Sequence, residues 1–274
     1  MPATLNIVGA GHVGRTLGRL FAAHGVFAVQ DVLTRSLDTA NAAVAFIGAG
    51  RAVASLADLR PAAVWMLAVG DDQIAPTCAA LAGAGLLRDA VVFHCSGAKA
   101  SSELQAPGAS TASVHPVRSF ADPEGVAAAF AGTWCGVEGD ARALALLTPA
   151  FEAIGARLVT IDAAAKTVYH AASVFAANYL VTVLDAALRA YVAAGVPEAV
   201  ARELARPLAS ESLANVFRLG PAAALSGPVA RGDLVTVARQ QAAVSHWDAP
   251  TGRLYDALVE ATTSLAERKR RGQS

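Results

Sequence analysis

Near its start the chain passes from a short apolar run, Leu5-Asn6-Ile7-Val8, through Gly9-Ala10-Gly11-His12-Val13-Gly14, into Val13, Leu17, Leu20 and Phe21 at helical spacing, ending at Gly25. Apolar residues three and four apart mark one helix face, so this is strand, glycine turn, helix. Glycines also make ordinary turns; the strand before and the helix after are what make G-x-G-x-x-G specific. Each glycine then has its own reason: Gly9 permits a tight turn, Gly11 lets the backbone approach a pyrophosphate, and Gly14 lets helix and strand pack closely. The helix N-terminus favours the phosphate charge. Gly9, Gly11 and Gly14, with His12 and Val13 between them, are expected to hold a dinucleotide.

The rest of the chain extends this unit. Residues 26–34 read as a second strand, 62–69 as a third and 90–94 as a fourth, with shorter candidates at 113–117, 133–137 and 157–161. Helical stretches lie between most of them, the pattern of a parallel sheet with crossover helices. After Asp162 the strands stop. Residues 163–194 read as one long helix, with Asp162 as N-cap and Gly195 as its stop. Its apolar residues surround it, so burial on most sides is expected, with help from a second subunit. Pro197 opens another helix, bent at Pro207, and two more follow a turn-rich stretch at 220–233. The expected fold class is α/β: a doubly wound Rossmann sheet over 1–162, then an all-α domain over 163–274 for substrate and dimerisation.

The end of the second strand bears on which dinucleotide binds. An acid there suits the ribose hydroxyls of NAD, whereas an arginine suits the extra phosphate of NADP. This chain offers Thr34-Arg35-Ser36. Asp31 stands at the nominal distance for the acid, yet Val32 and Leu33 still read as strand, which places it too early to reach the ribose. Arg35 can pair with phosphate and Ser36 can add a donor, so NADP(H) is the expected cofactor. Ligands of open α/β sheets lie beyond the carboxyl ends of the strands. That brings in Val69-Gly70-Asp71 for the cofactor, and His94-Cys95-Ser96-Gly97 and His115-Pro116 for substrate.

On the long helix, Lys166, His170 and Ser173 share one face, with Asn178 at its edge. An apolar, buried helix should not bury Lys166 unpaired. A lysine and a histidine lining a cleft can polarise a carbonyl or imine and donate a proton. The plainer alternative has Lys166 reaching solvent from near the helix start. Lys166 and His170 are therefore the catalytic candidates, with Asn178, Ser96 and His115 orienting substrate. His94, His115 and His170 could be imagined around a metal, but their spacing carries no such signature and none is expected.

Composition narrows the classes. The formal net charge of +0 gives no field favouring nucleic acid or acidic membranes. The basic run Arg268-Lys269-Arg270-Arg271 suits a helix end, where cations complement the macrodipole. Cys78, Cys95 and Cys135 match neither a metal spacing nor a disulfide framework. No basic segment with an apolar core precedes the first strand, so a cytoplasmic location is expected. Residues 171–188 are apolar enough to raise a membrane span, but Asn178 and Asp185 would then sit in hydrocarbon, so a helix buried in protein is expected.

Taken together, the chain resembles the superfamily of 6-phosphogluconate, 3-hydroxyisobutyrate, ketopantoate and pyrroline-5-carboxylate dehydrogenases and reductases. Within it, the sequence is similar to bacterial Rossmann-like proteins whose C-terminal domain is of unknown function. The matching stretches are Val8–Gly14, Thr34–Ser36, His94–Ala98, His115–Phe120, Lys166–Tyr179 and Leu225–Asp233, so the resemblance spans nearly the whole chain. It implies a Rossmann domain joined to an all-helical domain whose first long helix carries an active-site lysine. His170 departs from the asparagine usual in the hydroxyacid and ketopantoate enzymes. The expectation is an NADPH-dependent, homodimeric oxidoreductase reducing a small carbonyl or imine, with ketopantoate the nearest analogy. The rival readings are a non-catalytic dinucleotide sensor or assembly module and an NADP:deazaflavin oxidoreductase.

Overall fold

The computed structural model describes residues 1–272; the last two residues of the expected 163–274 domain lie outside them. Eight strands form one sheet: β1 (Ala3–Val8), β2 (Phe27–Leu33), β3 (Arg51–Val53), β4 (Val64–Leu67), β5 (Val91–His94), β6 (Ser110–Pro116), β7 (Trp134–Gly139) and β8 (Arg157–Thr160). Their order is β3-β2-β1-β4-β5-β6-β7-β8, so the order reverses between β1 and β4, where a crevice opens. The helices of this region are α1 (His12–Ala23), α2 (Leu37–Ile47), α3 (Ile74–Gly83), α4 (Pro123–Ala128) and α5 (Ala141–Ala153).

Apolar alternation along the strands separates two cores. On one face Phe21 meets Phe27 and Phe151 edge-on at 5.0 and 5.3 Å, and Phe93 meets Phe151 at 5.9 Å. On the other, Trp65, Leu67 and Val92 pack on Ile74, Cys78 and Leu81 of α3. Burial on both faces explains why β4 and β5 read as continuous apolar runs.

The sheet is not parallel throughout, as the strand–helix alternation leads one to expect. β6 and β7 pair antiparallel, with Ser113 opposite Glu138 and His115 opposite Gly136, and β8 then runs parallel to β7. The 117–133 connection holds only the short α4 and stays at the end of the sheet where β6 finishes. The start of β7 therefore lies beside the end of β6.

Beyond β8 the helices are α6 (Lys166–Val174), α7 (Leu180–Ala193), α8 (Glu198–Leu219), α9 (Pro221–Ala224), α10 (Pro228–Arg231), α11 (Leu234–Trp247) and α12 (Ala249–Gly272). Asp162 caps the start by accepting from Ala164 N at 2.9 Å, and Gly195 follows the end with φ +90°. The expected single helix is present as one continuous run from Ala163 to Ala193, with a π turn set into it at Phe175–Tyr179. The chain divides into two units, Met1–Ala177 and the remainder from Asn178.

In the second unit α7 packs on α8 and α11 on α12, and Arg189 bridges Asp185 at 2.9 Å and Asp248 at 3.4 Å. The expectation that the long helix is buried is not met within one chain. Between Ala163 and Ala193 only Lys166 is buried among the described residues, while Val168 is 74% exposed. Helices paired in this way leave outward faces uncovered. By length and composition alone, the stretch Ala163–Ala193 is long and apolar enough to cross a membrane.

Candidate active site

The glycine turn behaves as its pattern demands. Gly9 has φ +81°, and a Cβ there would lie 2.6 Å from Ala68 O. A Cβ on Gly14 would lie 2.5 Å from Gly9 O, so only glycine lets α1 start this close to β1. Gly11, in contrast, faces open space, which leaves its backbone free for a ligand. A cleft of about 910 Å³ runs from this turn across Val69 and Gly70 to Thr34 and Arg35. Ser36 is not one of its walls; its hydroxyl caps α2 by accepting from Thr39 N at 3.3 Å.

Asp31 is fully buried and sealed off from this cleft. It accepts from Arg51 Nε at 2.9 Å, Arg60 Nη2 at 2.7 Å and the Arg60 amide at 2.9 Å. Burial alone would raise its pKa, but the hydrogen bonds from Arg60 and Arg51 outweigh it and hold the carboxyl at about 2. Asp31 is thus an ion-paired carboxylate turned away from the cleft, whose walls carry the cations Arg15 and Arg35. An open backbone turn, a helix N-terminus and a terminal arginine fit a dinucleotide carrying an extra phosphate.

A second cavity of about 430 Å³ shares Gly11, Ala68, Val69 and Gly70 with the first. His12, Val13 and Asp71 line it on the turn side, and Ser96, Gly97, His115, Arg118 and His170 face them. The strand ends thus gather His115, His170 and Ser96, which the sequence had marked separately. A side chain on residue 97 would begin 2.8 Å from His115 Nε2 and closer still to His170 Nδ1, so both nitrogens converge on the bare face of Gly97. Among the described residues, His170 Nδ1 is a buried atom without a hydrogen-bond partner. His115 Nδ1 meets the Tyr169 hydroxyl at 2.9 Å. Burial, with smaller contributions from His170 and Lys166, pulls the His115 pKa down to about 4.

Lys166 is placed differently. It is 2% exposed and is not a wall of the cavity. Its ammonium donates to Ser96 O at 3.0 Å and to Ser113 Oγ, and lies 3.6 Å from Glu138 Oε1. Glu138 also accepts from Ser101 N at 2.8 Å and Ser101 Oγ at 2.7 Å. Burial lowers the Lys166 pKa, opposed by the Glu138 charge. The buried ammonium is therefore paired, and it ties the 96–101 loop to the β6–β7 pair from behind the cavity.

Ser96 Oγ accepts from Ala98 N at 3.1 Å and Lys99 N at 3.0 Å, which folds the loop and leaves only its proton to offer. His94 has both ring nitrogens engaged: Nδ1 accepts from Ser96 N at 3.2 Å and Nε2 lies 3.1 Å from Ala100 O. It is therefore not free to join His115 and His170 around a ligand. Asn178 opens the second unit, on the π turn, where its carbonyl accepts from Thr182 Oγ1 at 3.2 Å. The sequence alone assigns no site role to Glu138, Tyr169 or Arg118. Tyr169 stands three residues after Lys166, the spacing of one helix face, but an aromatic there reads as ordinary packing.

Residues 133–262 match a family model described as a domain of unknown function (DUF2520). Protein TM1727 from Thermotoga maritima has 28% identity and a TM-score of 0.77, over 97% of this chain and 99% of that one. A candidate NADP oxidoreductase, BF3122 from Bacteroides fragilis, has 19% identity and a TM-score of 0.79, over 96% and 98%. The chain shares the fold of these two proteins, and the stretch similar to the DUF2520 model runs from β7 into α12. Pyrroline carboxylate reductase from Plasmodium falciparum, solved with NADP bound, shares that fold at 13% identity and a TM-score of 0.60, over 96% and 98%. No curated protein sequence matches the chain.

Proposed function

We propose that this protein is an NADPH-dependent reductase of a small carbonyl or imine compound bearing a carboxylate, with ketopantoate the nearest family analogy. The observation that carries the reading is the convergence of His115 Nε2 and His170 Nδ1 over Gly97, at the end of the groove that the glycine turn begins. When bound, the cofactor supplies a hydride. Gly11 and the start of α1 hold its pyrophosphate, and Arg35 its extra phosphate.

His170 Nδ1, without a hydrogen-bond partner among the described residues, holds the proton for the heteroatom that gains charge. His115 orients that heteroatom. Arg118, a cation of the same cavity, pairs with the substrate carboxylate. Lys166 acts through the loop that carries Ser96 and Gly97, and its buried charge adds a field of the same sign. We place the enzyme in the cytoplasm as a homodimer joined through its C-terminal helices.

The test follows NADPH absorbance against a panel of keto acids and cyclic imines. Turnover with one of them, falling at least a hundred-fold in His170→Ala (about 2.7 kcal/mol), supports the reading. Tight NADPH binding with no turnover across the panel would leave a dinucleotide sensor instead.

A further inference from the structure

The His115 ring is held on three sides: Tyr169 stands edge-on at 5.5 Å, His170 edge-on at 5.8 Å, and Gly97 closes the third. A neutral imidazole carries its proton on one nitrogen only, and the partner of the other decides which. Two arrangements of the 2.9 Å contact are conceivable. In one the phenol donates to Nδ1; in the other Nδ1–H donates to the phenol oxygen, whose own proton then needs a second acceptor. Beside that oxygen lies the Gly136 backbone amide, which is a donor and cannot take that proton. The phenol stays protonated, since burial raises its pKa above the ordinary value.

We propose that Tyr169 is a positioning residue: its O–H donates to His115 Nδ1 and fixes His115 as the Nε2–H tautomer, with that N–H aimed over Gly97 into the cavity. Gly136 makes this possible, because a Cβ there would lie 2.5 Å from the Tyr169 oxygen. Since Gly136 is the cross-strand partner of His115, the β6–β7 register itself brings phenol and imidazole together. The chemical consequence, which rests on the reductase reading, concerns substrate class. A fixed donor at Nε2 requires a lone pair on the incoming heteroatom. A carbonyl oxygen or an unprotonated imine supplies one, whereas a protonated iminium would meet the donor with a proton of its own.

The deciding measurement is long-range nitrogen–proton NMR of the full chain labelled in histidine at pH 7, with the His115 signals assigned by difference from His115→Gln. We expect His115 to carry its proton on Nε2 in the wild type, and Tyr169→Phe to populate the Nδ1–H form. With a substrate in hand, Tyr169→Phe should lower kcat about ten-fold while NADPH affinity stays unchanged. A wild-type His115 protonated on Nδ1 overturns the proposal, as does a tautomer that Tyr169→Phe leaves unaltered. The wild-type spectrum decides even if the variant fails to fold. Because it needs no turnover, the tautomer result stands apart from the outcome of the substrate panel.

Discussion

At the scale of single residues, His115 gives the molecule an acid-sensitive element. Its folded pKa of about 4 lies below the value near 6.5 expected in the unfolded chain. Between those two values the unfolded state binds the extra proton, so stability is full above about pH 6.5 and falls as the pH drops towards 4, by up to ~3 kcal/mol. Urea titrations at pH 7 and pH 4.5 should show a smaller difference in His115→Gln than in the wild type; equal differences would remove His115 as the cause. Lys166 is a second case. Lys166→Ala leaves Glu138 buried without its cation and should cost about 3–5 kcal/mol, whereas Lys166→Met combined with Glu138→Gln should recover most of it. Thermal unfolding of the two variants checks this, and a Lys166→Ala protein as stable as wild type would show that the pair is not a strut. The sequence made Lys166 conspicuous because a buried ammonium needs a partner. It could not name Glu138, whose approach depends on how β7 pairs.

At the scale of elements, the glycine turn divides into a packing half and a binding half. In Gly14→Ala the new Cβ falls 2.5 Å from Gly9 O and 2.8 Å from Ala68 Cβ, so α1 must move away from β1. A stability loss of about 1–3 kcal/mol is expected, together with weaker NADPH binding. Gly11→Ala meets no protein atom within 4 Å, so it should keep its stability and still bind NADPH at least ten-fold more weakly. Thermal unfolding and a fluorescence titration of both variants separate the halves; equal effects would show that they are not separable. Strand and helix positions around this turn were legible because apolar spacing reports period. Period does not report direction, so the reversal at β7 was hidden. Nor does it register the π turn at Phe175–Tyr179, and β3, at three residues, is too short to show any period.

At the scale of the whole molecule, large apolar side chains remain on the surface of the helical unit, among them Val181, Leu208, Phe217 and Leu234. Phe217 is 87% exposed. Monomeric soluble proteins rarely carry contiguous apolar surface on the scale of several helix faces. Sedimentation should therefore find a homodimer at micromolar concentration, and Phe217→Asp should shift it towards monomer. A wild-type chain that sediments as a monomer would remove the dimer from the proposal. The all-round apolar character of the 163–194 stretch was legible in the sequence; which surface would be left over was not, because that depends on which helices pair.

The common wall of the two cavities, Gly11, Ala68, Val69 and Gly70, also bears on the order of events in turnover. A cofactor laid along that wall becomes part of the floor on which the smaller molecule rests. The smaller cavity is then complete only after the larger is filled, and steady-state kinetics should follow a compulsory order with the cofactor first on and last off. Oxidised cofactor should inhibit competitively against NADPH, while the reduced organic product should not. Calorimetry should detect substrate binding to the NADP-loaded protein and none to the protein alone. Equal binding to both would mean that the smaller cavity is complete by itself.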